Sequence, residues 1–253
     1  LQNVNFVSDG STLTLNNIKD EKVSKTNISG VFFWEKNKNL IDFFGLPMIS
    51  RTIQAANESG CFDRVLVSTD DPDIAEVSRF YDAEVPFLRM DKSDDISPVS
   101  EATISALIQA EAHWNESYET VVQLMANCPL READDILKAV AAFDNRSASF
   151  QISSFKFGWM NPWWSVKLDE SGIPKPLFPD TFSRRSQDLE PLYCPTGAIW
   201  IANCNALKRA GTFYGEGHVF ESIPWTSAVD IDDYEDLAMA KAIYKTRIDP
   251  EAG

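Results

Sequence analysis

At 253 residues and 44% hydrophobic content, the chain can fill one α/β domain with a sizeable insertion. Its formal net charge of −15 argues against a nucleic-acid or anionic-membrane surface, though an anionic substrate needs only a local cluster of cations. No apolar run reaches membrane-spanning length and the N-terminus is polar, so a cytoplasmic protein is expected. Cys61, Cys128, Cys194 and Cys204 lack metal-type spacing and read as reduced thiols.

Residues 1–27 are rich in Asn, Ser, Thr, Asp and Lys without a clear period, and read as a loose N-terminal extension. The remainder, 28–253, reads as one domain. A short apolar strand is expected at 28–34. A helix follows at 47–59, with Pro47 at its start and Gly60 just past its end. A buried-type strand at 64–68 leads to Asp71, a plausible N-cap for a helix running to about Tyr81. Strands at 84–88 and 120–125 alternate with helices at 102–114 and 134–143. Such alternation predicts a mixed, mostly parallel sheet flanked by helices, with ligands beyond the strands' carboxyl ends. Thr69-Asp70, residues 127–131 and Asp230–Asp232 fall at such ends. From about 146 to 226 the pattern turns β-rich and dense in Pro, Trp and Phe, an insertion that returns to the sheet at 228–231.

The segment from Ser227 to Ala240 carries the most chemistry. An apolar run ends in Asp230 and Asp232, and a helical pattern begins at once. In a strand, residues two apart face one side, so both carboxylates would point together toward a hard cation such as Mg2+. Alternatively, Asp232 or Asp233 merely caps the helix. Taken alone, the segment favours the cap.

Several segments occur in a telling order: Gly45-Leu-Pro-Met-Ile49, Phe62-Asp-Arg-Val-Leu-Val-Ser-Thr-Asp-Asp71, Ala83-Glu-Val-Pro-Phe-Leu-Arg89 and Gln123-Leu-Met-Ala-Asn-Cys-Pro-Leu-Arg131. Arg185-Ser-Gln-Asp-Leu189, Pro195-Thr-Gly-Ala-Ile-Trp200 and the Asp pair follow. From about Lys38 to Tyr244 the chain resembles the acylneuraminate (CMP-nonulosonate) cytidylyltransferases, which activate sialic, legionaminic or pseudaminic acids. The resemblance implies a nucleotide-diphospho-sugar transferase type of fold. It also implies transfer of CMP from CTP to a nonulosonic acid with release of pyrophosphate, Mg2+ held by Asp230 and Asp232, and a homodimer built through the insertion. Lys38 would join the Asp pair as a catalytic group and, with Asn39, contact the nucleotide; a polar turn is the plainer reading of both. Arg89 would also bind nucleotide, or else pair with Asp94 or Asp95. Gln123 would recognise the sugar, or else satisfy a loop backbone, and the motif around Arg131 would shape the pocket floor. Arg184 or Arg185, near Tyr193, would take the substrate carboxylate through a planar guanidinium; otherwise the two form a solvated pair offsetting Asp180 and Asp188.

Two departures stand out. Asn161-Pro162-Trp163-Trp164 occupies the region where some family members carry a sugar-contacting Lys, which points to a less usual nonulosonate. The family's opening Gly-rich basic loop, of the type Ala-Arg-x-Gly-Ser-Lys-x-x-x-x-Lys-Asn, is replaced by Gly30-Val-Phe-Phe-Trp34 running into Glu35-Lys-Asn-Lys-Asn39. Backbone N–H groups and cations of such a loop cradle a triphosphate. Their loss makes a weakened or silent relative that keeps the sugar pocket the alternative reading. His113 and His218 have no nucleophile or metal-type partner, and neither a P-loop nor a Gly-x-Gly-x-x-Gly is present.

Overall fold

A computed structural model of the chain describes residues 2–6, 11–17, 38–89 and 99–249. The expected strand at 28–34 and the loop up to residue 37 lie outside the described residues.

Local signals account for most element boundaries. Helix α1 (Met48–Ser59) begins after Pro47, buries Met48, Ile49, Thr52, Ile53 and Ala56 at helical spacing, and stops at Gly60, whose φ of 61° is left-handed. Strand β3 (Arg64–Val67) precedes helix α2 (Pro72–Phe80), where the Asp71 carboxylate accepts from the N–H groups of Asp73 and Ile74 at 2.8 and 3.3 Å. Helix α3 (Val99–Trp114) leads to β4 (Thr120–Met125), in which all six residues are buried. Helix α4 (Ala133–Asp144) and β5 (Phe150–Lys156) follow. The insertion carries a two-stranded ribbon, β6 (Val166–Leu168) with β7 (Pro174–Pro176), and then the long β8 (Tyr193–Asn203). Helix α5 (Cys204–Ala210), β9 (Val219–Ser222) and α6 (Tyr234–Ile248) complete the chain.

The segment expected as a loose extension contains two strands, β1 (Gln2–Phe6) and β2 (Ser11–Asn17), joined antiparallel in the main sheet. Alternation of Thr12, Leu13, Thr14 and Leu15 suits a strand, and the polar composition of the stretch masked that signal. The sheet runs β1-β2-β4-β8-β5-β9, with β3 also on β2. Strand β2 is antiparallel to β1, β3 and β4, and β8 is antiparallel to β4 and β5, while β9 is parallel to β5. Hence β1, β3, β4, β5 and β9 share one direction and only β2 and β8 oppose it. The sheet is mixed, as expected.

Helices cover both faces. Val122 and Leu124 of β4 pack with Ile49 and Ile53 of α1, Ile74 of α2 and Ile136 of α4. Val121 points the other way, toward Ala106 and Leu107 of α3 and Leu207 of α5. A third cluster of Phe43, Met48, Leu130, Val229, Ile231, Leu237 and Ala240 fastens α6 beside the strand ends. No helix among the described residues is long and apolar enough to cross a membrane.

Two expected strands are corrected. Residues 84–88 contribute a single parallel bridge, Glu84 with Leu66, before Pro86 removes the next ladder donor. Residues 228–231 are not a strand. Ala228 C=O accepts from Thr196 Oγ1 of β8 at 3.2 Å, and Ile231 N–H donates to Asn127 C=O at 3.0 Å, two residues past the end of β4.

Candidate active site

The site is built where β4 ends. Residues 126–131 leave that strand along a path fixed from inside by Arg131. Its guanidinium is buried and donates to the carbonyls of Met125 and Ala198 at 3.0 and 2.7 Å and to Thr52 Oγ1 at 2.7 Å. Arg131 is thus an internal tie between α1, β4 and β8. Burial lowers its pKa to about 10, which leaves it charged at neutral pH.

The Asp segment lies against this turn. Buried Val229 and Ile231 anchor it in the third cluster on either side of Asp230. Asp230 Oδ1 is enclosed and accepts no hydrogen bond from the described residues. Burial, then the charge of Asp232, push the Asp230 pKa up to about 7; Lys38 opposes the rise and Asp236 adds to it. Cys128, on the facing turn, is held well above its ordinary range by burial and by Asp230. The Asp232 side chain is 73% exposed. Lys38, on a short 3-10 turn (Lys38–Leu40), donates from Nζ to the Asp232 carbonyl at 2.6 Å and lies 3.5 Å from Asp232 Oδ1. Sequence reading placed Lys38 and the Asp pair in one site, and the structure brings Lys38 into contact with Asp232.

The helix cap is made elsewhere. Asp233 accepts from the N–H groups of Glu235 and Asp236 at 2.8 and 3.0 Å, and Asp236 Oδ2 accepts from Asp232 and Asp233 N–H at 2.9 and 3.2 Å. Asp233 and Asp236 therefore satisfy the first turn of α6, and neither Asp230 nor Asp232 is spent on capping.

The other expected residues are distributed as follows. Asn39 is buried beside Lys38. Arg89, also buried, donates its backbone N–H to Thr69 C=O at 2.9 Å, and its Nη2 lies 3.5 Å from Asp70 Oδ1. It therefore sits at the carboxyl end of β3, and desolvation lowers its pKa to about 10. Gln123 lies inside β4 opposite Trp200 and is 0% exposed, so it presents no surface to a sugar here. Arg184 and Arg185 stand on the exposed insertion: Arg185 forks onto Asp188 at 2.7 and 3.0 Å, and Arg184 donates to the Asp188 carbonyl at 2.5 Å. Tyr193, half-exposed, opens β8 opposite Lys156. Among the described residues, no hydrogen bond or ion pair joins Arg184, Arg185 or Tyr193 to the Asp pair. Asn127, flagged only as part of a strand end, proves to be bonded directly to the Asp segment; its signal was its position just beyond a buried-type strand.

The donor set suits a hard cation. Two carboxylates, one with an enclosed and unoccupied lone pair, fit Mg2+, which typically takes one or two carboxylates and fills its octahedron with waters and substrate phosphates. No cluster of three or more His, Cys, Asp or Glu able to hold a metal occurs among the described residues.

The family model described as "Cytidylyltransferase" matches residues 36–159. The pseudaminic acid cytidylyltransferase of Campylobacter jejuni is 32% identical over 209 residues, covering 82% of this chain and 89% of that protein. The chain belongs to the acylneuraminate-type cytidylyltransferases. Within that family, the CMP-N,N'-diacetyllegionaminic acid synthase of Legionella pneumophila is 30% identical over 82% of this cytidylyltransferase and 88% of its own length. The N-acylneuraminate cytidylyltransferase of Streptococcus agalactiae is 28% identical over 79% of this chain but only 48% of its own. Among solved structures, CMP:2-keto-3-deoxy-manno-octonic acid synthetase complexed with CTP superposes with a TM-score of 0.56 at 13% identity, covering 83% of this chain and 92% of that one. At that identity the likeness speaks for the fold alone. The matched span of this cytidylyltransferase holds Lys38, Asn39, Arg89 and Asn127, whereas the Asp pair lies beyond it.

Proposed function

We propose that this cytidylyltransferase transfers CMP from CTP to the anomeric hydroxyl of a nonulosonic acid, with Mg2+ held by Asp230 and Asp232. The observation that carries the reading is the division of labour among the four aspartates. Asp233 and Asp236 cap α6, leaving Asp230 with an enclosed oxygen that no described residue satisfies and Asp232 with an exposed carboxylate. A partly buried carboxylate with an enclosed, unsatisfied oxygen costs stability, and strongly perturbed groups of this kind cluster where chemistry uses them.

In the reaction the anomeric oxygen forms a bond to the α-phosphorus and the α–β bridging bond breaks. Its electron pair leaves with pyrophosphate, and the hydroxyl proton passes to solvent. Such transfer rests on positioning and charge neutralisation more than on covalent help. Bound Mg2+ supplies Lewis acidity and a template for the phosphate oxygens. Lys38, held against Asp232, and Arg89, at the end of β3, supply fixed positive charge toward the nucleotide. Arg184 or Arg185 takes the sugar carboxylate after exchanging its bond to Asp188. With CTP, Mg2+ and a panel of nonulosonic acids, at least one member should give pyrophosphate at a rate dependent on metal. Binding of CTP without release from any member would overturn the catalytic reading in favour of a silent relative.

We further propose that the insertion joins two copies of the chain. Trp159, Leu168 and Ile173 are 84, 67 and 59% exposed on it, alongside Met160 and Phe182. Apolar side chains gathered on one projecting element mark an interface. Trp163 braces the element, donating from Nε1 to Glu190 C=O at 2.9 Å and packing edge-on to Phe178 at 5.0 Å. Sedimentation at micromolar concentration should give twice the 28.4 kDa chain mass. Leu168→Glu should return it to the monomer, and a monomeric parent protein would refute the arrangement.

A further inference from the structure

Asn127 is 1% exposed, two residues beyond β4. Its backbone carbonyl accepts from Ile231 N–H at 3.0 Å, and its side-chain Nδ2 donates to Ile231 C=O at 3.4 Å. Ile231 is the residue between the two carboxylates. Its N–H belongs to the peptide plane shared with Asp230, and its C=O to the plane shared with Asp232. One residue therefore grips both planes that set the directions of the two Asp side chains. The Ile231 side chain is locked at the same time in the cluster of Phe43, Met48, Leu130 and Val229.

We infer that Asn127 is a positioning residue that fixes the relative aim of the Asp230 and Asp232 carboxylates through the Ile231 peptides. Stability alone does not explain an amide here. Asn127 Oδ1 is enclosed and accepts no hydrogen bond from the described residues, and a buried acceptor without a donor weakens a fold. The useful half of the group is its Nδ2, which reaches across to the metal-facing segment. Outer-shell partners of this kind typically change metal affinity or activity by about 10–100-fold when removed.

The inference rests on the proposed metal role of the Asp pair, and its test is direct metal binding. Titration with Mn2+, followed by the electron paramagnetic resonance signal of the free ion, should give a dissociation constant about 10-fold or more higher in Asn127→Leu. That change keeps the branched heavy-atom outline, in a somewhat larger side chain, and the backbone bond, and removes the amide. Relief of the enclosed Oδ1 and loss of the bond to Ile231 C=O oppose each other, so its melting temperature should stay near that of the parent, and Asn127→Gln, which keeps a donor, should recover part of the affinity. Unchanged Mn2+ affinity in a folded Asn127→Leu overturns the inference. If Asn127→Leu fails to fold, Asn127→Ser gives the same comparison, and parent-like affinity there overturns it equally. A parent protein that binds Mn2+ yet releases no pyrophosphate overturns the transferase reading and leaves the positioning role standing on affinity. A parent that binds no Mn2+ overturns both.

Discussion

Asp230→Asn should reduce pyrophosphate release by roughly 1,000-fold while leaving the protein folded. Loss of a metal-supported charge stabilisation removes several kcal/mol from the transition state, and each 1.36 kcal/mol is about tenfold in rate. The amide is isosteric, so the packing of Val229 and Ile231 on either side is undisturbed. The same substitution should change how stability depends on pH. The Asp230 pKa rises from 3.8 to about 7 in the fold. Between those values the folded chain keeps a proton that the unfolded chain has released, so stability of metal-free protein falls as pH rises from about 4 to about 7 and then levels. In chelator, the melting temperature of the parent relative to Asp230→Asn should therefore decline across that window. At pH 8 the inactive variant should be at least as stable as the active parent. Parallel melting curves at every pH would refute the raised pKa of Asp230, and retained metal-dependent activity would refute the metal role.

Local chemistry made much of the frame legible. Gly60 can adopt a left-handed conformation, Asp71 caps a helix with its own side chain, and the residues 120–125 are apolar enough to mark a central strand; each signal sits within a few residues of its effect. The Asp pair was legible as a site but not as a geometry. Strand alternation was the wrong rule, because residues 228–231 cross beyond the end of β4 instead of pairing with a neighbour. What aims the carboxylates is a set of bonds from residues about 100 and 200 positions away, Asn127 and Lys38, and no local pattern encodes such partners. The choice between cap and ligand was likewise open in sequence. Four aspartates within seven residues can each cap, and only the bonds to Asp233 and Asp236 show which ones do.

The arginines show the same limit. Arg184 and Arg185 were read as serving either a carboxylate ligand or nearby Asp180 and Asp188, since a guanidinium fork fits both. The structure displays the first state. The motif around Arg131 was read as shaping the pocket floor, yet its charge faces the interior. Two carbonyls and a hydroxyl from three different elements surround it, and their convergence is a property of the fold.

Arg131→Leu should accordingly be the most destabilising single change. It strands the carbonyl of Ala198, leaves that of Met125 with only the longer bonds from Thr52 Oγ1 at 3.3 Å and Cys128 N–H at 3.4 Å, and removes the donor to Thr52 Oγ1, all in the interior. A buried acceptor left without a donor costs about 1–3 kcal/mol, and relief from desolvating the guanidinium returns part of the total. A net loss of about 3 kcal/mol corresponds to a melting-temperature drop of roughly 10 °C for a chain of this size. Arg131→Lys should recover little, because one ammonium on a flexible stem does not reproduce a planar fork that reaches three acceptors. Activity should fall further than stability requires, since Met125 lies two residues before Asn127 and the tie that holds the strand end also holds the grip on Ile231. Calorimetric melting of both variants decides the matter: a Leu variant within about 2 °C of the parent would show that the interior tolerates the open acceptors, and Arg131 would then be no tie at all.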